Sequence, residues 1–314
     1  MTQQALPQNR LKIWLLGMAV GDVSIGILYG GAILLMKMSE ERIFQQIVGI
    51  PSFFLMPILG GVIASYLWRH LRPGIGATAL GVLWMMLLAI VGAALVFHEG
   101  AICLLIVSPL FYVIIFAGAL MGRVWFRVDS TRFRLCIFPL LALAIIGEPM
   151  TREPHTDVVV DEVLIHAPPS RVWRALTAFP AIKETPRFWL FRMGLPYPVA
   201  TTSAGDFVGA DRSCIFSDDM VFKEKVAQLI PHENLTFDIT ELPKHPELIG
   251  HLTPYRGQFL LCDNGDGTTT LTGSTWYTLH VRPLWYFDLW TQYIFRAVHE
   301  RVMDDIRRRA ETPI

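Results

Sequence analysis

Six side chains in the second half of the chain could move a proton or steady a charge on a bound molecule: Asp219, Glu224, His251, Arg256, Tyr277 and His280. An acid or imidazole enclosed by apolar groups is pushed toward its neutral form, and can then serve as general acid or base. Which of the six point inward depends on strand register, which the sequence leaves open. The plainer reading of each is a solvent-facing or structurally paired group. Metal chemistry has less behind it. His232, His245, His251 and His280 are scattered, with neither His-x-x-x-His nor Cys-x-x-Cys spacing. His245, His251 and Glu247 share the loop KHPELIGHLTPY, which reads as solvated. No Gly-x-Ser-x-Gly elbow or phosphate-cradling loop occurs. No metal and no cofactor are expected. Without a recognisable catalytic set, binding is the simpler account, with enzyme activity left open.

The elements that must position these groups are strands and one long helix. A β-rich run over 158–165 stops at Pro168-Pro169, and Ser170 reads as the cap of a short helix. In that helix Val172, Leu176 and Phe179 share a face, and Pro180 ends it. The stretch 185–200 crowds Trp189, Phe191 and Tyr197 among Pro186, Pro196 and Pro198, which argue against regular structure. It reads either as packed core or as a flap or membrane-dipping loop. Strand-like runs follow at 211–216, 220–229, 235–239 and 258–262. Asn264-Gly265-Asp266-Gly267 is a strong hairpin signal before the longest strand pattern, 268–280. From 284 to 311, Phe287, Trp290, Ile294, Val298, Val302 and Ile306 recur at helical spacing, with Asp288, Gln292 and Arg296 between them. That is a long amphipathic helix with an aromatic first half.

The order strand, Ala-Pro-Pro turn, helix with a Val172-Trp173 pair, hairpin-linked strands and closing helix resembles the START-like, polyketide-cyclase-like (SRPBCC) superfamily. The pairs Gly257-Gln-Phe259 and Thr275-Trp-Tyr277 add to the resemblance. It covers about half of the chain. It implies the helix-grip fold, in which a curved antiparallel sheet wraps the closing helix around an apolar cavity. It implies little about function, because members bind lipids, sterols, hormones and polyketides and only some are enzymes. On this basis Trp189, Phe191, Trp276, Trp290 and Ile294 are expected to line the cavity, with Arg256 or Tyr277 orienting a polar head.

The first half is different in kind. Of 314 residues, 53% are apolar, and they are concentrated over 11–147. The runs 11–36, 43–68, 75–97 and 101–126 are each long enough to cross a hydrocarbon core of about 20 residues. A fifth, from Leu135 to Gly147, is short and crosses only if Arg132 and Arg134 snorkel. The expected architecture is a membrane α-helical bundle of four or five spans (1–147), a linker (148–157) and an α+β helix-grip domain (158–311). Arg10, Lys12, Arg69, Arg72 and Arg123 place the amino terminus in the cytoplasm by the positive-inside rule. The second half then lies outside the cytoplasm if the fifth run spans and inside it if that run only lies on the surface, in what reads as a cell (inner) membrane protein. Asp22 is the one acid within a span; it reads as a functional group or as a carboxyl near an interhelical partner. Gly118 and Gly122 form a small-xxx-small motif, a sign of close helix packing and a candidate route to a homo-oligomer.

Formal net charge is zero, which gives no electrostatic case for nucleic acid. Four cysteines make no disulfide framework; a Cys214–Cys262 bridge is the one pairing considered. The functional expectation is membrane-anchored binding or transfer of a lipid-like ligand. The alternatives are a cyclase- or dehydratase-type enzyme and a ligand-sensing membrane assembly protein.

Overall fold

The computed structural model describes residues 7–38, 42–97, 100–126, 155–177, 181–245, 247–248 and 250–312. Phe179, Cys136 and the apolar run from Leu135 to Gly147 lie outside them. The chain divides into two compact units, Met1–Met150 and Thr151–Ile314.

The first unit holds helices α1 (Pro7–Met38), α2 (Arg42–Trp68), α3 (Ile75–Phe97) and α4 (Ala101–Trp125). Three stretches are long and apolar enough to cross a membrane: Arg10–Leu28, Ile75–Leu95 and Ala101–Trp125. In α2 the described apolar part, Phe54–Trp68, is shorter. Many large apolar side chains face outward, among them Ile27, Leu88, Leu95 and Val113, as suits a lipid environment. Inside, Trp68 stacks on Trp14 and donates from its indole N–H to the Trp14 carbonyl at 3.0 Å. A Cβ on Gly118 would strike the Ile58 carbonyl, and one on Gly122 would lie 2.8 Å from the Ser65 Cβ. The small-residue face of α4 is therefore taken by α2 of the same chain, and a second copy could reach it only by displacing α2. Asp22 is half-buried in α1, and neither carboxylate oxygen has a hydrogen-bond partner among the described residues.

The second unit opens with β1 (His155–Ile165), α5 (Pro169–Thr177) and the single turn α6 (Trp189–Arg192). Then come β2 (Pro198–Ser203), β3 (Asp211–Phe216), β4 (Val221–Ile230), β5 (Asn234–Glu241), β6 (Leu252–Asp263) and β7 (Thr269–Leu279). The closing helix, α7, runs Leu284–Glu311. β1 starts before the expected Val158, and Ser170, read as a cap, sits inside the first turn of α5. β2 was not anticipated. Pro198 is accommodated because β2 is an edge strand, where a missing ladder donor is tolerated.

All strand pairs are antiparallel, in the order β1-β7-β6-β5-β4-β3-β2. The β6–β7 hairpin turns through Gly265 and Gly267, at φ of +77° and +88°, where L side chains are strained. Laid flat, seven strands would put the edges about 29 Å apart, whereas a helix with its side chains is about 10–12 Å across. Yet α7 holds both edges. His299 Nδ1 lies 2.8 Å from Asp161 on β1, and Arg301 Nε donates to the Pro198 carbonyl on β2 at 2.9 Å. The sheet must curl around the helix to allow both contacts, which is the helix-grip arrangement the resemblance implies. Between them lies a core of Ile165, Val172, Leu176, Val226, Leu235, Leu271 and Ile306, all nearly inaccessible to solvent.

Candidate functional site

Strand alternation decides which side chains meet the helix. On β1 the inward phase is Val159, Asp161, Val163 and Ile165. On β3 it is Arg212, Cys214 and Phe216, and on β4 Phe222, Glu224 and Val226. From α7, Phe295, Val298, His299 and Val302 face them at i, i+3, i+4 and i+7. Between β2–β7 and α7 lies a cavity of about 110 Å3, mostly apolar.

Two polar features interrupt that apolar wall. Arg212 and Glu224 are directly opposed across the β3–β4 ladder, with Nε and Oε2 3.3 Å apart. Their side chains are 9% and 5% exposed. Neither of those two atoms has a partner of good hydrogen-bond geometry. The Arg212 guanidinium also lies 4.6 Å from the centre of the Phe237 ring, a cation–π contact. Burial pushes the Glu224 carboxyl up to about 7, even though Arg212 pulls it the other way. Burial, with the nearby Glu224, pushes the Cys214 thiol up to about 12. The second feature is a chain of three groups. Asp161 Oδ2 meets His299 Nδ1 at 2.8 Å, and His299 Nε2 meets Thr275 Oγ1 at 2.8 Å. An ionised Asp161 can only accept, so Nδ1 carries the imidazole proton and Nε2 takes the hydroxyl hydrogen of Thr275. Burial, with the nearby Arg296, outweighs Asp161 and holds the His299 imidazole below its usual pKa, which favours the neutral ring. Both Thr275 and His299 line the cavity.

Neither the five side chains expected to line the cavity nor the two offered to orient a polar head are among those that line it. Trp276 is out of phase on β7, and Arg256 stands beside it on the outer face, bonded to Asp238 at 2.7 Å. Tyr277 points inward but is fully buried against Val159 and Leu279, and its hydroxyl donates to Asp288 at 2.6 Å. Trp290 packs on Tyr293, and Ile294 lies one position off the cavity-facing stripe of α7. Phe191 is buried against Phe188 and Tyr197, and Trp189 is partly exposed. Of the six proton-handling candidates, Glu224 alone lines the cavity. Arg212, Asp161, Thr275 and His299 were missed, although a charged or polar residue within the apolar phase of a strand or helix marks each of them. Cys214 and Cys262 are free, on β3 and β6, so no bridge joins them.

The closest approach to a metal-ligand set among the described residues is His155, Asp157 and Asp288, whose donor atoms lie within 4.8 Å of one another. The Asp288 oxygens there already accept from Tyr277 and Gln292.

No protein-family model matches the chain, and no curated protein matches it. Solved structures do. A norcoclaurine synthase point mutant from Thalictrum flavum, in complex with a transition-state analogue, is 17% identical. The match covers 50% of this chain and 96% of that one, at a TM-score of 0.35. A protein from Nitrosospira multiformis is also 17% identical, over 48% and 94% of the two chains, at 0.33. The protein XoxI from Bacillus cereus is 14% identical, over 48% and 94%, at 0.35.

Proposed function

We propose that the second unit binds a hydrophobic molecule carrying one polar group, and that the first unit anchors it in a cell (inner) membrane by four or five spans. By the positive-inside reading the amino terminus is cytoplasmic, and the binding unit is extracytoplasmic if the run from Leu135 to Gly147 spans. The observation that carries the binding reading is the mostly apolar cavity under α7 with the Arg212–Glu224 pair in its wall. Ligand pockets are commonly apolar with a few polar groups that fix orientation. Size narrows the ligand. An apolar cavity of about 150 Å3 takes a benzene, so about 110 Å3 holds a small ring or a short acyl segment rather than a whole phospholipid. A lipid would enter by one such segment, with its headgroup outside.

The test is extraction and mass spectrometry of small molecules from the full chain in nanodiscs. The expected result is a stoichiometric small amphiphile that is lost in an Arg212→Met/Glu224→Leu variant. A chain that carries nothing, and that takes up none of a panel of small hydrophobes added to the nanodiscs, defeats the reading.

A second reading, proton-transfer catalysis, is favoured by one specific observation, the Asp161–His299–Thr275 chain. It has the base-and-orienter geometry that activates a hydroxyl. On that reading His299→Gln abolishes turnover of a bound substrate and leaves its binding intact. Unchanged turnover defeats it.

A further inference from the structure

The first turns of α7 leave a stripe of large apolar side chains uncovered. Trp285, Leu289 and Tyr293 follow one another at i, i+4 and i+8 and are 62%, 67% and 47% exposed. The stripe continues onto α6. The Tyr293 ring meets Phe188 edge-on at 5.0 Å, Phe188 adjoins Trp189, and Trp189 and Met193 are 42% and 56% exposed. Exposed apolar residues scattered singly are ordinary; a connected patch of this kind marks a contact surface. Two exposed cations, Arg187 and Arg192, flank the α6 part of it.

We propose that this patch docks on the surface of an anionic lipid bilayer. The residue types fit that occupant: tryptophan and tyrosine settle at the headgroup level, with leucine and methionine beneath them, and arginines meet anionic headgroups. Supply fits as well. Apolar stretches long enough to span precede this unit in the same chain. At most about 100 Å of extended backbone joins Phe126 to His155. A bilayer entered by those spans is then always within reach, at high effective concentration. The chain also enters the unit beside the patch: His155 Nε2 lies 3.7 Å from Asp288, which sits between Trp285 and Leu289 on α7. Docking there presents the aromatic end of α7 to the lipid and leaves the Arg212–Glu224 wall of the cavity untouched.

The proposal rests on the membrane-anchoring reading and is independent of what the cavity holds. It is tested in the full chain, in nanodiscs of phosphatidylcholine with phosphatidylglycerol, by Leu289→benzoylphenylalanine photocrosslinking. Val208→benzoylphenylalanine is the control, because Val208 is 61% exposed and sits on neither α6 nor α7 but in the loop between β2 and β3. The expected result is lipid mass added at position 289 and little at 208. That yield should fall in an Arg187→Gln/Arg192→Gln background, and fall less in discs of phosphatidylcholine alone. Equal yields at the two positions, no lipid adduct at 289, or crosslinks from 289 to a second copy of the chain each overturn the proposal. Retained small-molecule binding in the same samples separates that failure from a failure of the cavity reading.

Discussion

The buried Arg212–Glu224 pair makes a quantitative prediction, because removing one partner and removing both should act in opposite directions. At 3.3 Å and an effective dielectric of about 20, the attraction is of order 5 kcal/mol. Desolvation costs several kcal/mol for each ion. The balance is visible in Glu224, whose carboxyl rises from 4.5 to about 7 despite its cation partner. That shift corresponds to roughly 3 kcal/mol of unrecovered cost when the group is ionised. Glu224→Leu alone strands a buried guanidinium and should destabilise the second unit by about 3–5 kcal/mol. Arg212→Met/Glu224→Leu removes both desolvation costs and should be neutral or stabilising by about 1–4 kcal/mol. The pH dependence has a definite sign. The folded state holds the Glu224 proton up to about pH 7 and the unfolded chain releases it near 4.5. The stability contributed by the neutral carboxyl is therefore present below about 4.5 and lost as the pH rises to about 7. Acidifying the wild type from pH 8 to pH 5 should raise the protection of the β3 and β4 amides relative to the base-catalysed intrinsic exchange rate at each pH, and the double variant should lack that rise. Hydrogen exchange of the full chain in detergent reads these strands separately from the helices of the first unit. A double variant as unstable as the single one, or one that keeps the pH response, would refute the reasoning that the pair is held for binding rather than for stability.

Three further outcomes follow from the same geometry. At pH 8 a soluble thiol reagent should modify the exposed Cys262 rapidly, while Cys214, pushed up to about 12, stays almost unreacted; comparable rates by peptide mass spectrometry would contradict that burial. Thr275→Val leaves the buried His299 Nε2 without its donor and should destabilise the second unit by about 1–3 kcal/mol in the same exchange measurement; no change would mean the hydrogen bond contributes nothing. Gly118→Leu forces a side chain into the Ile58 carbonyl and should loosen the α2–α4 contact, lowering the thermal stability of the full chain in detergent by about 1–3 kcal/mol or more; an unchanged melt that comes with loss of a dimer would instead place Gly118 between copies.

The coarse architecture was readable because it rests on period and punctuation. The apolar runs of the first half, the Asn264–Gly267 turn and the 3.6-residue rhythm of α7 are local signals that tertiary contacts do not overturn. β3 and α7 fall where the pattern puts them, residue for residue at both ends. The cavity residues are not readable by type, because aromatic bulk does not mark a cavity wall in this fold. In the fold the bulk goes elsewhere: Trp276 to the outer face of the sheet, Tyr277 into a small core with Val159, and Trp285 to solvent. Phase was the better guide. Reading β4 as Phe222, Glu224, Val226 against Val221, Lys223, Lys225 singles out an acid among the apolar set. The same reading picks out Asp161 between Val159 and Val163, and His299 between Phe295 and Val302. Burying a charge is unfavourable unless something answers it. A charge in the apolar phase therefore predicts a partner across the interior, and here each one has it: Glu224 has Arg212, and Asp161 has His299. What the pattern could not supply is that both pairs end on one cavity, because that depends on the curl of the sheet. The curl is set by contacts from α7 to both edge strands, between residues more than a hundred positions apart.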